Sequence, residues 1–112
     1  MTHEHDLTIA KKLKDLILQA GGDRVRQIFL FGSRARGDAR PDSDFDLLVV
    51  VRGITPAEKQ SYQLALYRAL RGTGVATEPL VMSEDEFEEG RGVIGGLAYP
   101  AWKEGVLLYE NA

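Results

Sequence analysis

Apolar positions along the chain change period several times, and each change marks a predicted element. Leu7, Ile9, Ala10, Leu13, Leu16, Ile17 and Ala20 recur at helical spacing, with Lys11, Lys12, Lys14 and Asp15 between them. Gly21 and Gly22 then stop that helix. Val25 to Phe31 is β-rich and ends at Gly32, which predicts a first strand. Ser33 to Ser43 is polar and broken by Gly37 and Pro41, so it is expected to be turn and loop, with room for one helical turn at Arg34 to Arg36. Phe45 to Val51 is apolar almost throughout, the pattern of a strand buried on both faces in mid-sheet.

Thr55-Pro56 followed by Glu58 predicts a capped helix start, and Tyr62, Leu64, Ala65, Leu66, Ala69 and Leu70 carry the helix to about Gly72. Val75 to Met82 is a third strand candidate, and Pro79 inside it predicts an edge position or a bulge. Ser83 before Asp85, Glu86 and Phe87 predicts a short capped helix. Ile94 to Lys103 gives no clear element, because Gly95, Gly96 and Pro100 weaken a helix. Val106 to Tyr109 is a short last strand. Helices alternating with strands predict an α/β (α+β) layer of helices on a sheet. Only about a dozen residues join the first two strands, too few for a full crossover helix, so an antiparallel or mixed sheet is expected.

Composition narrows the picture. A chain of 112 residues without repeat or linker is read as a single domain over residues 1–112. One such core leaves room for a partner chain or a second copy to close a substrate cleft. A net charge of −3 gives no indication of direct nucleic-acid binding, which shows as a basic surface. The absence of cysteine excludes disulfides and thiolate metal sites. No apolar run approaches the ~18 residues of a membrane span. The start Met-Thr-His-Glu-His-Asp lacks the basic and apolar regions of a secretory signal, so a cytoplasmic protein is expected.

The candidate chemistry sits between the first two strands. Asp44 and Asp46 lie two apart on a predicted strand, so both carboxylates face the same way while Phe45 enters the core. Paired carboxylates in a buried strand repel each other unless a cation lies between them. Mg²⁺ suits that role, because it takes oxygen ligands and shares them with substrate phosphates. Gly32 and Ser33 close the first strand, where glycine admits a phosphate close to the backbone and the following amides and hydroxyl can donate to it. Arg34 and Arg36, between that turn and Gly37, are predicted to reach the phosphates through the bidentate guanidinium fork. Arg24, Arg26 and Arg40 divide evenly between that role and a solvated surface.

Two metal ions need shared and separate ligands, so a third acid is expected on a neighbouring strand. Glu78, ahead of Leu80-Val81-Met82, is the candidate, whereas Asp42 belongs to the loop. His3 and His5 are expected to be solvated in a frayed terminus. The acidic run of Glu84, Asp85, Glu86, Glu88 and Glu89 reads as a solvated helix face or a dock for a basic partner. Tyr99 and Trp102 read as core or interface anchors.

Phe31-Gly32-Ser33-Arg34-Ala35-Arg36-Gly37, with Ser43-Asp44-Phe45-Asp46-Leu47, resembles the signature of the minimal nucleotidyltransferases, small members of the polymerase-β-like nucleotidyltransferase superfamily. Ser83 to Phe87 and Glu104 to Tyr109 resemble that family's later segments, so the resemblance covers most of the chain. It implies a mixed β-sheet flanked by helices, with a metal-bound NTP over the carboxylates. Gly32 and Ser33 would contact the triphosphate, and Asp44 and Asp46 would bind Mg²⁺, two ions in all. Glu78 stands where the family usually has aspartate and would hold the metal at the attacking oxygen or take its proton. The activity implied is transfer of AMP from ATP to a hydroxyl of a protein partner, as the antitoxin of a HEPN-type toxin. Two other readings stay open: a subunit that neutralises its partner by contact with little catalysis, and a nucleotidyltransferase for small molecules.

Overall fold

A computed structural model describes residues 4–96 and 98–111 of the chain. Helices α1 (Glu4–Gly21), α2 (Ser33–Arg36), α3 (Pro56–Ala69), α4 (Glu84–Gly90) and α5 (Ala98–Glu104) surround strands β1 (Val25–Phe31), β2 (Phe45–Val51), β3 (Thr77–Ser83) and β4 (Val106–Glu110). The strands form one mixed sheet in the order β3-β2-β1-β4. β1 pairs antiparallel with both β2 and β4, and β2 pairs parallel with β3 across the α3 crossover. This is the α+β sandwich of helices on a mixed sheet that the sequence pattern predicts.

Every β2 residue except Asp46 is buried, as expected for the apolar run of a central strand. Its two faces have separate cores. Phe45, Leu47, Val49 and Val51 pack with Leu13 and Ile17 of α1 and Leu66 of α3. Leu48 and Val50 pack with Phe29, Met82, Phe87 of α4 and Ala101 of α5. Asp46 shares this second face but lies at the strand's start, ahead of the apolar residues that α4 and α5 cover.

β3 is an edge strand, which accommodates Pro79. Gln63 of α3 covers that edge: its amide nitrogen donates to the Pro79 carbonyl, and its oxygen accepts the Val81 N–H at 2.8 Å. Both expected capping boxes form, Thr55 with Glu58 and Ser83 with Glu86, each side chain bonding the other residue's backbone N–H. Residues 98–104, unassigned by pattern, form α5, and its only proline is in the first turn, where a missing N–H costs nothing. The N-terminal end also differs from expectation. Glu4, His5 and Asp6 form the first turn of α1 instead of fraying, and His5 is exposed there. His3 lies outside the described residues. Among the described residues no helix is long and apolar enough to cross a membrane.

Candidate active site

The site lies where β1 ends and β2 and β3 begin. The antiparallel register puts Phe31 opposite Asp46, so the turn after β1 meets the start of β2. Gly32 adopts φ +76° and ψ −156°, a combination nearly confined to glycine. A Cβ built there would stand 2.3 Å from Asp46 Oδ2. Glycine is therefore required twice over, by the backbone and by the carboxylate against it. Ser33 opens α2, whose single turn is closed by Ala35 and Arg36 donating to the Gly32 carbonyl and by Gly37, at φ +86°, donating to the Ser33 carbonyl. The first amides of such a turn have no acceptor within the helix.

The parallel register pairs Asp46 with Glu78, Leu48 with Leu80 and Val50 with Met82. Asp46 and Glu78 therefore share one face of the sheet, whereas Asp44, expected on the strand, lies one residue ahead of β2, with its charge still felt at Asp46. Asp44 and Glu78 are exposed and Asp46 is partly buried. Burial first, then the Asp44 and Glu78 charges, lift the Asp46 carboxyl above the usual carboxylate range, while Arg36 works against them. The three acids and Arg36 thus act on one another. Among the described residues no three acid or imidazole groups close up into a metal cage by themselves. The donor set fits a divalent cation whose remaining ligands come from a substrate's phosphates.

Beyond Glu78 the face sinks into a depression of about 310 Å³, walled by Asp44, Glu78, Thr77, Tyr67 and Arg71. Sequence pattern had not joined Tyr67 and Arg71 of the α3 end to the site, because neither residue carries a spacing signal. A larger concavity of about 480 Å³ runs along α3 from Gln60 to Tyr67 and has no charged side chain.

The arginines separate into distinct roles. Arg36 stays at the acids and also bonds Asp38 at 3.3 Å. Arg34, expected at the phosphates, is turned inward. Its Nη1 donates to Asp6 at 3.0 Å, its Nε and Nη2 donate to the Ser43 carbonyl at 3.2 and 2.9 Å, and Nη2 also reaches the Pro41 carbonyl at 3.2 Å. The guanidinium carbon lies 4.5 Å over the Phe45 ring. Arg24 ties the Arg52 and Gly53 carbonyls to Glu58, whose carboxyl is held down at about 2 by that arginine and by Thr55. Arg26 pairs with Glu84 and Lys59 with Glu86, so the acidic run is partly neutralised from within the chain. Arg40 is exposed in the loop. Asp42 is also in the loop, as expected.

Asp6 escaped the sequence reading. It is the buried carboxylate beneath Arg34, and a signal was present: Asp6, Ala10, Leu13 and Ile17 occupy one helical stripe. An acid in phase with an apolar stripe needs a buried cation, and Arg34 is that cation.

The sequence model of the nucleotidyltransferase domain matches residues 9–94. The chain belongs to the nucleotidyltransferase domain family. Its fold is similar to that of a Sulfolobus solfataricus protein described as a candidate nucleotidyltransferase, at TM-score 0.66 and 25% identity, over 96% of this chain and 82% of the other. It is also similar to a toxin–antitoxin structure with AMP-PNP, at TM-score 0.58 and 16% identity, over 90% of this chain and 73% of the other. A third neighbour is a variant of the toxin–antitoxin complex MntA–HpeT in which two aspartates two positions apart are changed to glutamate, at TM-score 0.54 and 14% identity, over the same shares. The latter two likenesses speak for the fold. The search of curated proteins gave no match.

Proposed function

We propose that this nucleotidyltransferase transfers AMP from ATP to a hydroxyl of a protein partner, in the role of an antitoxin toward a HEPN-type toxin. The observation that carries the donor half is the contact of Gly32 with Asp46: a glycine-only turn beside a carboxylate whose ionisation two further acids oppose. Such a site favours a bound cation and admits phosphate oxygens. Support for the partner comes from the toxin–antitoxin neighbours, one of them with AMP-PNP and one altered at an Asp-x-Asp pair like Asp44-x-Asp46.

In this reading Asp44 and Asp46, with Glu78, would hold two Mg²⁺ ions. Bound magnesium supplies Lewis-acid stabilisation of charge on the phosphates. Gly32 leaves space for the phosphates, and the Ser33 amide and hydroxyl donate to them. Arg36 offsets negative charge at the same edge. The acceptor oxygen bonds the α-phosphorus as the bond to the β-phosphate oxygen breaks and pyrophosphate leaves. Glu78, on the side of Asp46 away from Gly32, would serve the acceptor, by holding the metal at the attacking oxygen or by taking its proton.

Labelled ATP, Mg²⁺ and the purified candidate partner should yield labelled partner. Labelling that persists with the Asp44→Ala/Asp46→Ala variant overturns the assigned site. A second reading, a partner-binding subunit with little turnover, draws on the acidic, exposed face of α4 as a dock for a basic partner. Full neutralisation of the partner by the same double variant would favour that reading.

A further inference from the structure

We propose that Asp6 and Arg34 form a positioning couple that fixes Asp44, through its neighbours Ser43 and Phe45, relative to the Gly32–Ser33 turn. The inference rests on the nucleotide reading of that site. Arg34 directly follows Ser33 in α2, so its backbone belongs to the turn. Its guanidinium grips the residues on both sides of Asp44: two nitrogens bond the Ser43 carbonyl, and the plane lies over the Phe45 ring. One rigid side chain thus spans the two halves of the site, which a loop of polar residues otherwise separates.

Asp6 makes that placement possible. The Arg34 and Asp6 side chains are 13% and 7% exposed, and Asp6 is buried in phase with the apolar residues of α1. A guanidinium so withdrawn from water needs a carboxylate partner, and α1 supplies it 28 residues away in sequence. Without Asp6, Arg34 is expected to leave for solvent or for the phosphates. The Ser43 carbonyl would then lose its donors and Asp44 its fixed approach. The hydrogen bonds of Arg34 go to protein groups: Asp6 and the Ser43 and Pro41 carbonyls. The couple acts through Asp44, as the outer partners of metal ligands do, and their loss typically weakens binding about 10- to 100-fold.

The test is calorimetric titration of the full chain with AMP-PNP and Mg²⁺ at low temperature, with circular dichroism to establish that each variant is folded. Asp6→Asn is expected to weaken magnesium-dependent binding about 10- to 100-fold, and Asp6→Glu to restore part of it. Arg34→Lys keeps a charge for Asp6 but not the fork that grips Ser43, so it is expected to bind as weakly. It carries the same expectation should Asp6→Asn fail to fold. Ile17→Ala opens the core about three turns along the same helix and should lose stability while keeping its affinity. Wild-type or tighter affinity in a folded Asp6→Asn or Arg34→Lys variant overturns the couple, as does an equal loss in Ile17→Ala. Binding that Asp46→Asn loses and Asp6→Asn keeps defeats the couple alone. No magnesium-dependent binding by the unaltered chain defeats the nucleotide reading beneath it.

Discussion

Replacing Gly32 by alanine tests the centre of the site with a single methyl group. Two costs add. The backbone at φ +76°, ψ −156° lies where non-glycine residues are strained by about 1–3 kcal/mol. The new Cβ also falls 2.3 Å from Asp46 Oδ2, well inside contact distance, so the carboxylate must swing away or the turn must open. In a domain of this size about 1–3 kcal/mol lowers Tm by roughly 5–15 °C. The functional loss should exceed the stability loss, because the carboxylate that moves is the proposed metal ligand. Gly22→Ala is the matched control: Gly22 has φ +70° with nothing within 4 Å of a built Cβ, and it follows the end of α1. Thermal unfolding and AMP-PNP titration with Mg²⁺, on both variants below their transitions, separate the terms. Both should lose stability, and only Gly32→Ala should lose binding. Wild-type affinity in Gly32→Ala, or equal loss in Gly22→Ala, refutes the reasoning.

Four further outcomes are expected. Asp46 has a raised folded pKa, so the fold loses stability as pH rises from the ordinary carboxylate range through that value; Asp46→Asn should therefore raise Tm at neutral pH without metal, and only modestly because the group is partly solvated. Mg²⁺ should raise the Tm of the unaltered chain and not that of Asp46→Asn. Glu58 is shifted the other way, down to about 2, so its contribution is present above the ordinary value of 4.5 and fades as pH falls toward 2; denaturant midpoints between pH 5 and 2 should fall less steeply in Arg24→Ala. Gln63→Leu strips the β3 edge of its side-chain cover, leaving the Pro79 carbonyl and Val81 N–H without that partner, and should cost about 1–3 kcal/mol and promote concentration-dependent association visible by light scattering.

Much of this protein is written in short-range pattern. The apolar run of β2, the helical stripe of α1 and the capping boxes at Thr55 and Ser83 each depend on residues a few positions apart, so they are legible in the chain. Pro79 likewise announced an edge strand, since a missing N–H is tolerated there. The placement of Asp46 on the opposite face from the core-facing Phe45 follows from the two-residue repeat of a strand alone, although β2 starts at Phe45 and leaves Asp44 just ahead of it.

Tertiary structure decided what those side chains meet. The parallel register brings Glu78 opposite Asp46, and the antiparallel register brings Gly32 against the same carboxylate. Neither follows from spacing, because strand order is set by packing across the sheet. The same holds for the arginines. In sequence Arg34 and Arg36 are near-equivalents two positions apart, but a helical turn sends Arg34 inward onto Asp6 and Ser43 and leaves Arg36 near Asp46. A buried guanidinium must find a carboxylate wherever the chain supplies one, and here it came from the first turn of α1, a stretch that by composition alone reads as a frayed end.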